Sequence, residues 1–505
     1  MIDPVELQVI TGALRAICEE MGAVLIRSAH SANIKERRDA STALFDARGQ
    51  MLMQAEHIPV HLGAMPAAVE SILEEDQAPD RAWILNDPYR GGTHLPDITV
   101  IVPIFISPDG GPGGDLIAFA ASRAHHADVG GPTPGSMPAD SRRLADEGVV
   151  IEPQVLDEPA IEELSSRMRQ PEQRRADLRA QLAAGRVGVR RLQELHDRVG
   201  HETLEAAFAE VLDYAERRTR SCLQELEDRQ HTARDLLEAT EGDLEIVLEA
   251  RVEGDHLTLD FTGTAGQHDG NLNCPIAVTR SACYFAVRVL TDPEIPASAG
   301  AYRPIEVIAP DGCLLNASSP TGRPEDRPAV VGGNVETSSR VADVVLRAFG
   351  RALGQGTMNN VTLGSEEVVY YETIAGGQGA CPDADGPSAV HVTMSNTLNT
   401  PVEALELEFP LRVVEYAVRR GSGGAGEHSG GDGVIRELEA LEPLHYSLIT
   451  ERRRHAPPGA RGGENGEPGR NLLDGEELPA KAIGEMESGQ RLRIETPGGG
   501  GYGSG

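Results

Sequence analysis

Two apolar runs, residues 98–106 and 116–121, constrain the fold of this 505-residue chain more than any other feature. The first, Ile-Thr-Val-Ile-Val-Pro-Ile-Phe-Ile, reads as a strand. The second, Leu-Ile-Ala-Phe-Ala-Ala, reads as its return, with a small glycine-rich insertion (108–114) at the tip between them. If the two pair, the polar residues at their outer ends are brought together. Before the first run lies Asn86-Asp-Pro-Tyr-Arg-Gly-Gly-Thr-His-Leu-Pro-Asp97, which carries His94 and Asp97 as an H-x-x-D pair in a tight turn. After the second lies Ser122-Arg-Ala-His-His-Ala-Asp-Val-Gly-Gly131, which carries His125, His126 and Asp128. Imidazoles and carboxylates converging on rigid strand ends form a divalent-metal ligand set. Neighbouring residues on a strand face opposite sides, so only one of His125 and His126 can serve one ion.

The rest of the chain supplies further elements and candidates. Asp3 and Pro4 read as cap and first turn of a helix running to residue 26. A polar stretch then leads into a strand at 42–45, a hairpin turn at 46–49 and a second strand at 50–54. Asp39, just before the first of these, is either a buried acidic ligand or a turn residue. His57 and His61 either line the same site or are satisfied loop histidines. Residues 152–237 read as a charged, helix-rich arm that packs on the core or on a partner and carries no chemistry. Beyond 243 come short strands at 244–248 and 256–261, a partly buried helix over 276–290 and another over 330–353. Glycine clusters at 371–379, 421–426 and 428–433 can cradle an anion or make tight connections. The glycine-rich tail at 496–503 is expected to tuck against the body or a partner. The whole reads as a multi-domain α+β chain with mixed sheets and a long helical insertion. Its regions are 1–150 (metal site), 151–240 (helical arm) and 241–505 (glycine-rich, completing the core).

Composition excludes several function classes. A formal charge of −33 argues against nucleic acid, whose phosphates require clustered basic residues, and aromatics at 4% leave little for base stacking. Lysine occurs only at 35 and 481, neither in a G-x-x-x-x-G-K-[ST] context, so no P-loop holds ATP here. Six cysteines without C-x-x-C spacing fit reduced thiols rather than a thiolate zinc site. With neither a leader-like N-terminus nor an apolar run of membrane-spanning length, the expectation is a cytoplasmic protein with no membrane partner.

The motifs Asn33-Ile-Lys-Glu-Arg-Arg-Asp39, Glu56-His-Ile-Pro-Val-His-Leu-Gly63, Asn86 to Asp97 and Arg123-Ala-His-His-Ala-Asp-Val-Gly130 closely resemble those of the hydantoinase B family. Gly332-Gly-Asn-Val-Glu-Thr337, Tyr371-Glu-Thr373 and Thr496-Pro-Gly-Gly-Gly-Gly-Tyr502 extend the resemblance along the chain. The family includes subunits of ATP-dependent hydantoinases and N-methylhydantoinases, the corresponding half of 5-oxoprolinase, caprolactamase, and subunits of acetone and acetophenone carboxylases. The resemblance implies a hetero-oligomer in which a separate hydantoinase A-type ATPase subunit binds ATP and phosphorylates the substrate. It implies metal ligands at Asp39, His94, Asp97 and one of the histidine pair, His125 being preferred.

Such a nitrogen–oxygen set suits Zn²⁺, Mn²⁺ or Fe²⁺. The expected reaction is the opening of an activated cyclic amide (a hydantoin, N-methylhydantoin, 5-oxoproline or related lactam) by metal-activated water. His126 and Asp128 are candidates for moving the proton, with His57 and His61 as further candidates in the same pocket. The alternatives are a subunit of an ATP-dependent ketone carboxylase and a non-catalytic structural partner of the A subunit.

Overall fold

The computed structural model describes residues 2–55, 58–106 and 114–505. The two apolar runs are paired antiparallel at the centre of a six-stranded sheet. Its strands are β1 (Ala40–Asp46), β2 (Met51–Ala55), β3 (Trp83–Leu85), β4 (Asp97–Ile106), β5 (Asp115–His125) and β6 (Gln154–Val155), in the order β2-β1-β5-β4-β3-β6. The alternation of β5 explains why its run is apolar throughout. Ala118 and Ala120 enter one core cluster with Leu14, Met21 and Leu192, while Phe119 and Ala121 enter another with Ile101, Val278 and Ala282. Both faces of the sheet are thereby buried, and strand residues on either side are apolar.

The first of these clusters lies under helices. Pro4–Ser28 begins as expected, with the Asp3 carboxylate accepting from the amides of Val5 and Glu6. The charged region beyond residue 151 contributes Pro171–Val199, which packs along the first helix and against β4 and β5, and His201–Gln224, which follows it. This stretch is a covering layer on the core, as one of the two sequence readings had it. Its last residues differ from expectation: Gln230–Ala239 is a strand, not helix. Leu237 and Ala239 are buried there, and the segment pairs along its whole length with Gly242–Glu253. Ladder hydrogen bonds with that neighbour override the helical spacing of its leucines. These two strands form a second sheet with His256–Asp260 and Ile305–Ile308, antiparallel except for the last pair.

Two more sheets complete the C-terminal part, one of four strands and one of five. The architecture is α+β with several open sheets, and among the described residues only the second sheet mixes parallel and antiparallel pairs. The largest core cluster draws on residues from both the 1–150 and the 241–505 regions. Ile276–Leu290 is helical as expected. The helix expected over 330–353 is shorter and begins irregularly: a π turn, Gly333–Thr337, precedes the α-helix Ser338–Ala348. Gly333 permits this, because a Cβ there would stand 1.8 Å from the Asn273 carbonyl oxygen. Single π turns inside helices are frequent at functional sites. Just upstream, Glu147 Oε1 accepts from the amides of Val330 and Val331 and from Ser141 Oγ.

Burial pushes the Glu147 carboxyl up to about 8 against these bonds. Its folded pKa is raised, so its contribution to stability is complete below the unfolded value and is lost as pH rises through 8. Glu147→Gln is therefore expected to gain on wild type by a few kcal/mol between pH 4.5 and pH 8. Urea unfolding of both proteins at the two ends of that window checks this.

The glycine clusters pack against one another, backbone to backbone. A Cβ on Gly499 would lie 2.0 Å from the Gln378 carbonyl oxygen. Its N–H donates to Gly431 O and its carbonyl accepts from Gly424 N. These amides are spent on internal carbonyls, so the clusters act as tight connections rather than an anion cradle. The tail tucks against the body, with Tyr502 bridging to His428. Among the described residues, no helix is long and apolar enough to cross a membrane.

Candidate metal centre

The site is built where β1, β4 and β5 end together. In the β4–β5 ladder Asp97 stands directly opposite His125, and cross-strand partners present neighbouring side chains. The turn before β4 adds His94, because the Asp97 amide donates to the His94 carbonyl and folds the H-x-x-D segment back on itself. Asn86 clamps that turn: its amide nitrogen donates to Leu95 O and its oxygen accepts from Ile151 N. Asp39, one residue before β1, is tied in by its carbonyl, which accepts from the His125 amide. The residue before it, Arg38, has φ +56°.

Three donor atoms converge. Asp97 Oδ1 lies 3.4 Å from His94 Nε2 and 3.4 Å from His125 Nδ1, and the two imidazole nitrogens are 3.2 Å apart. Donors held about 2.1 Å from one ion at tetrahedral angles are themselves roughly 3.4 Å apart. The triangle has the size that a divalent ion demands, and His94, Asp97 and His125 form a buried group able to hold one. Two ring nitrogens and a carboxylate oxygen pointing at one place fit a cation there. Asp39 Oδ2 is 4.0 Å from His125 Nδ1 and lines the same cavity.

The surroundings orient these groups. Asp97 Oδ2, the oxygen turned away from the triangle, accepts from Thr93 Oγ1 at 2.5 Å and lies 3.5 Å from His61 Nε2. Burial opposes the Asp97 charge, but the adjoining histidines hold its carboxyl well below the usual carboxylate range. Burial lowers the His125 pKa, which keeps that ring in the neutral form a metal requires. The His125 ring stacks on Tyr371 at 4.5 Å, and Arg37 lies over the same tyrosine ring, 3.9 Å from Asp39. Asn334, on the π turn, contacts His94 Nδ1 at 2.7 Å. A partner on the second ring nitrogen fixes a ligating histidine's tautomer and orientation, and losing it typically costs 10–100-fold in metal affinity. Asn334→Ala is expected to weaken metal binding by roughly that factor with folding intact. Competition against a chelating dye measures it.

The other sequence candidates fall elsewhere. His126 points to the opposite face of the sheet, where Nε2 meets Gln181 Oε1 at 2.9 Å and burial pushes its pKa down to about 4. Asp128 accepts from the amides of Gly130 and Gly135 and pairs with Arg169, holding the loop after β5. Neither lines the cavity, so neither stands where the expected proton transfer would take place. His57 lies outside the described residues. His61, a secondary candidate, does line the cavity: Nδ1 bonds Ser41 Oγ at 2.8 Å, and Nε2 is buried without a hydrogen-bond partner. Asn334, Tyr371 and Thr373 were not named as site residues, although the motifs that contain them were visible.

Comparisons with known proteins agree with this arrangement. The sequence matches the Hydantoinase B/oxoprolinase family over residues 3–505. It is 38% identical over 523 residues to 5-oxoprolinase of Dictyostelium discoideum, covering 99% of this chain but only 40% of that protein. The chain thus spans about two fifths of that relative's length. The ATP-dependent caprolactamase from Pseudomonas jessenii superposes with a TM-score of 0.92 at 28% identity, covering 100% of this chain and 92% of that one. Acetone carboxylase shares the fold at a TM-score of 0.84 and 19% identity, over 99% of this chain and 76% of its own. Matched by the family over residues 3–505 and 38% identical to one of its members, this chain belongs to the hydantoinase B/oxoprolinase family.

Proposed function

We propose that this chain is the metal-binding subunit of an ATP-dependent hydrolase of cyclic amides, working with a hydantoinase A-type ATPase partner that activates the ring by phosphorylation. The observation that carries the reading is the buried triangle of His94 Nε2, Asp97 Oδ1 and His125 Nδ1, sized for one divalent ion. Its family membership and its likeness to the caprolactamase support the substrate class. His94, Asp97 and His125 would hold the ion, with Asp39 beside them. Such an ion, when bound, acidifies water and polarises a substrate oxygen.

The chain's own groups have distinct tasks in this reading. Asp97 stays anionic and divides its two oxygens between the ion side and the Thr93–His61 side. His61 takes the role first expected of His126 and Asp128. His61 lines the cavity with its Nε2 3.5 Å from Asp97 Oδ2, and would take up the proton of an attacking water while Asp97 stabilises the imidazolium that results. Ser41 Oγ on Nδ1 keeps the ring oriented. Tyr371 and the apolar side chains of Ile58, Val60, Val335 and Met358 limit access of bulk water.

The test combines the purified chain, an A-type partner, ATP and a hydantoin or 5-oxoproline-like lactam, with and without bicarbonate. Ring-opened product that needs ATP but not bicarbonate is the expected result. Carboxylated ketone formed only with bicarbonate would replace the hydrolase reading with a carboxylase. Turnover that survives metal removal would make the site structural.

A further inference from the structure

The cavity at the metal centre is about 20 Å³, room for an ion or a single water and not for a ring. Beside it lies a pocket of about 370 Å³. Its walls are apolar at Phe285, Val289, Pro293 and Leu346, and Ser395 and Asn396 line both cavities. Pro59 borders the larger space while its neighbours Ile58 and Val60 border the smaller one. The two volumes therefore share a wall.

That wall is under strain. Thr393 has φ +50°, a region that a β-branched residue rarely enters. Strain of this kind persists where the surroundings enforce it, commonly at ligand sites. Two polar groups on the same wall are buried without hydrogen-bond partners, His391 Nε2 and Thr393 Oγ1. The imidazole is fixed by Ser395 Oγ, 2.5 Å from Nδ1, and burial pushes its pKa down to about 4, so it is a neutral hydrogen-bonding group. The guanidinium of Arg288, also at the pocket, is bonded to the carbonyls of Ile295 and Pro293. A drug-sized pocket with an apolar wall and a few polar groups beside it has the features of a site for a small, largely apolar molecule.

We propose that this pocket holds the body of the cyclic amide, with the hydrocarbon substituent against Phe285, Val289 and Leu346. The ring then lies against Ser395 and Asn396, which also line the metal cavity. The substrate class is then a lactam or hydantoin with an uncharged apolar substituent, in preference to a ring bearing a carboxylate. This assignment rests on the proposed ring-opening function, and binding measurements on the full chain separate the two.

Calorimetry with hydantoin, its benzyl-substituted derivative and 5-oxoproline is the experiment. Wild type should bind the benzyl derivative most tightly. Leu346→Trp, which fills the pocket, and Val289→Trp, which fills it from the rim, should each lower the benzyl-to-unsubstituted affinity ratio by at least ~10-fold, with metal content unchanged. An unchanged ratio in both tryptophan variants, or tighter binding of 5-oxoproline by wild type, would overturn the assignment. Binding that follows this pattern without ring opening in the presence of ATP and partner would leave the pocket standing and refute the hydrolase function instead.

Discussion

His94→Ala and Asp97→Ala will each reduce the proposed ATP-dependent ring opening by roughly a thousand-fold or more, with secondary structure close to wild type. Lewis-acid stabilisation by a bound ion is worth several kcal/mol, and each 1.4 kcal/mol is a factor of about ten in rate. The two changes act differently. His94→Ala removes one corner of the donor triangle and frees Asn334. Asp97→Ala removes the charged corner and also the partner of Thr93 and His61. Steady-state kinetics should show the loss in kcat, since a group acting in the transition state lowers kcat rather than raising KM alone. His61→Ala should cost about 10²–10⁴-fold, the usual contribution of a general base, which is the role proposed for it. It should leave metal content intact.

Arg340→Met will destabilise the fold by about 3–5 kcal/mol, the usual penalty for breaking a buried ion network by removing one partner. Arg340 is wholly buried on the Ser338–Ala348 helix and reaches Asp343 at 3.1 Å, Asp235 at 3.4 Å and Glu451 at 3.3 Å. Arg452 closes the network onto Asp235 at 2.7 Å and Asp343 at 2.9 Å, and Lys481 pairs with Glu451. Burial already pushes the Asp343 carboxyl up to about 7 with Arg340 present. Without Arg340, Arg452 and Lys481 are left to offset the carboxylates of Asp235, Asp343 and Glu451, and proton uptake relieves the excess negative charge. The loss should therefore be greater at pH 8 than at pH 5, as urea unfolding at the two values will reveal. The helix involved continues from the π turn that carries Asn334, so metal affinity should fall along with stability.

The local parts of this site were legible in the sequence because local rules govern them. Apolar alternation and the flanking turns were enough to pair β4 with β5. Strand geometry was enough to separate His125 from His126: one faces His94 and the other faces Gln181. The H-x-x-D turn brings its own two residues together through a single backbone bond. Contacts made across hundreds of residues were not legible in the same way. Asn334 meets His94, and Tyr371 stacks on His125, only because separate sheets and a helix converge there. Asp128 misled for a similar reason. Its position near two histidines suggested chemistry, but the following glycines turn the chain so that its oxygens cap their amides. At Gln230–Ala239 the leucine spacing read as helical, and pairing with the next strand overrode it.

Metal content of the purified chain by mass spectrometry, wild type beside His94→Ala and Asp97→Ala, tests the central claim most directly. About one divalent ion per chain in wild type, lost from both variants while they remain folded, is the result expected from a triangle of this size. Equal metal content in all three proteins would contradict it and place the chemistry of this chain away from the end of its central sheet.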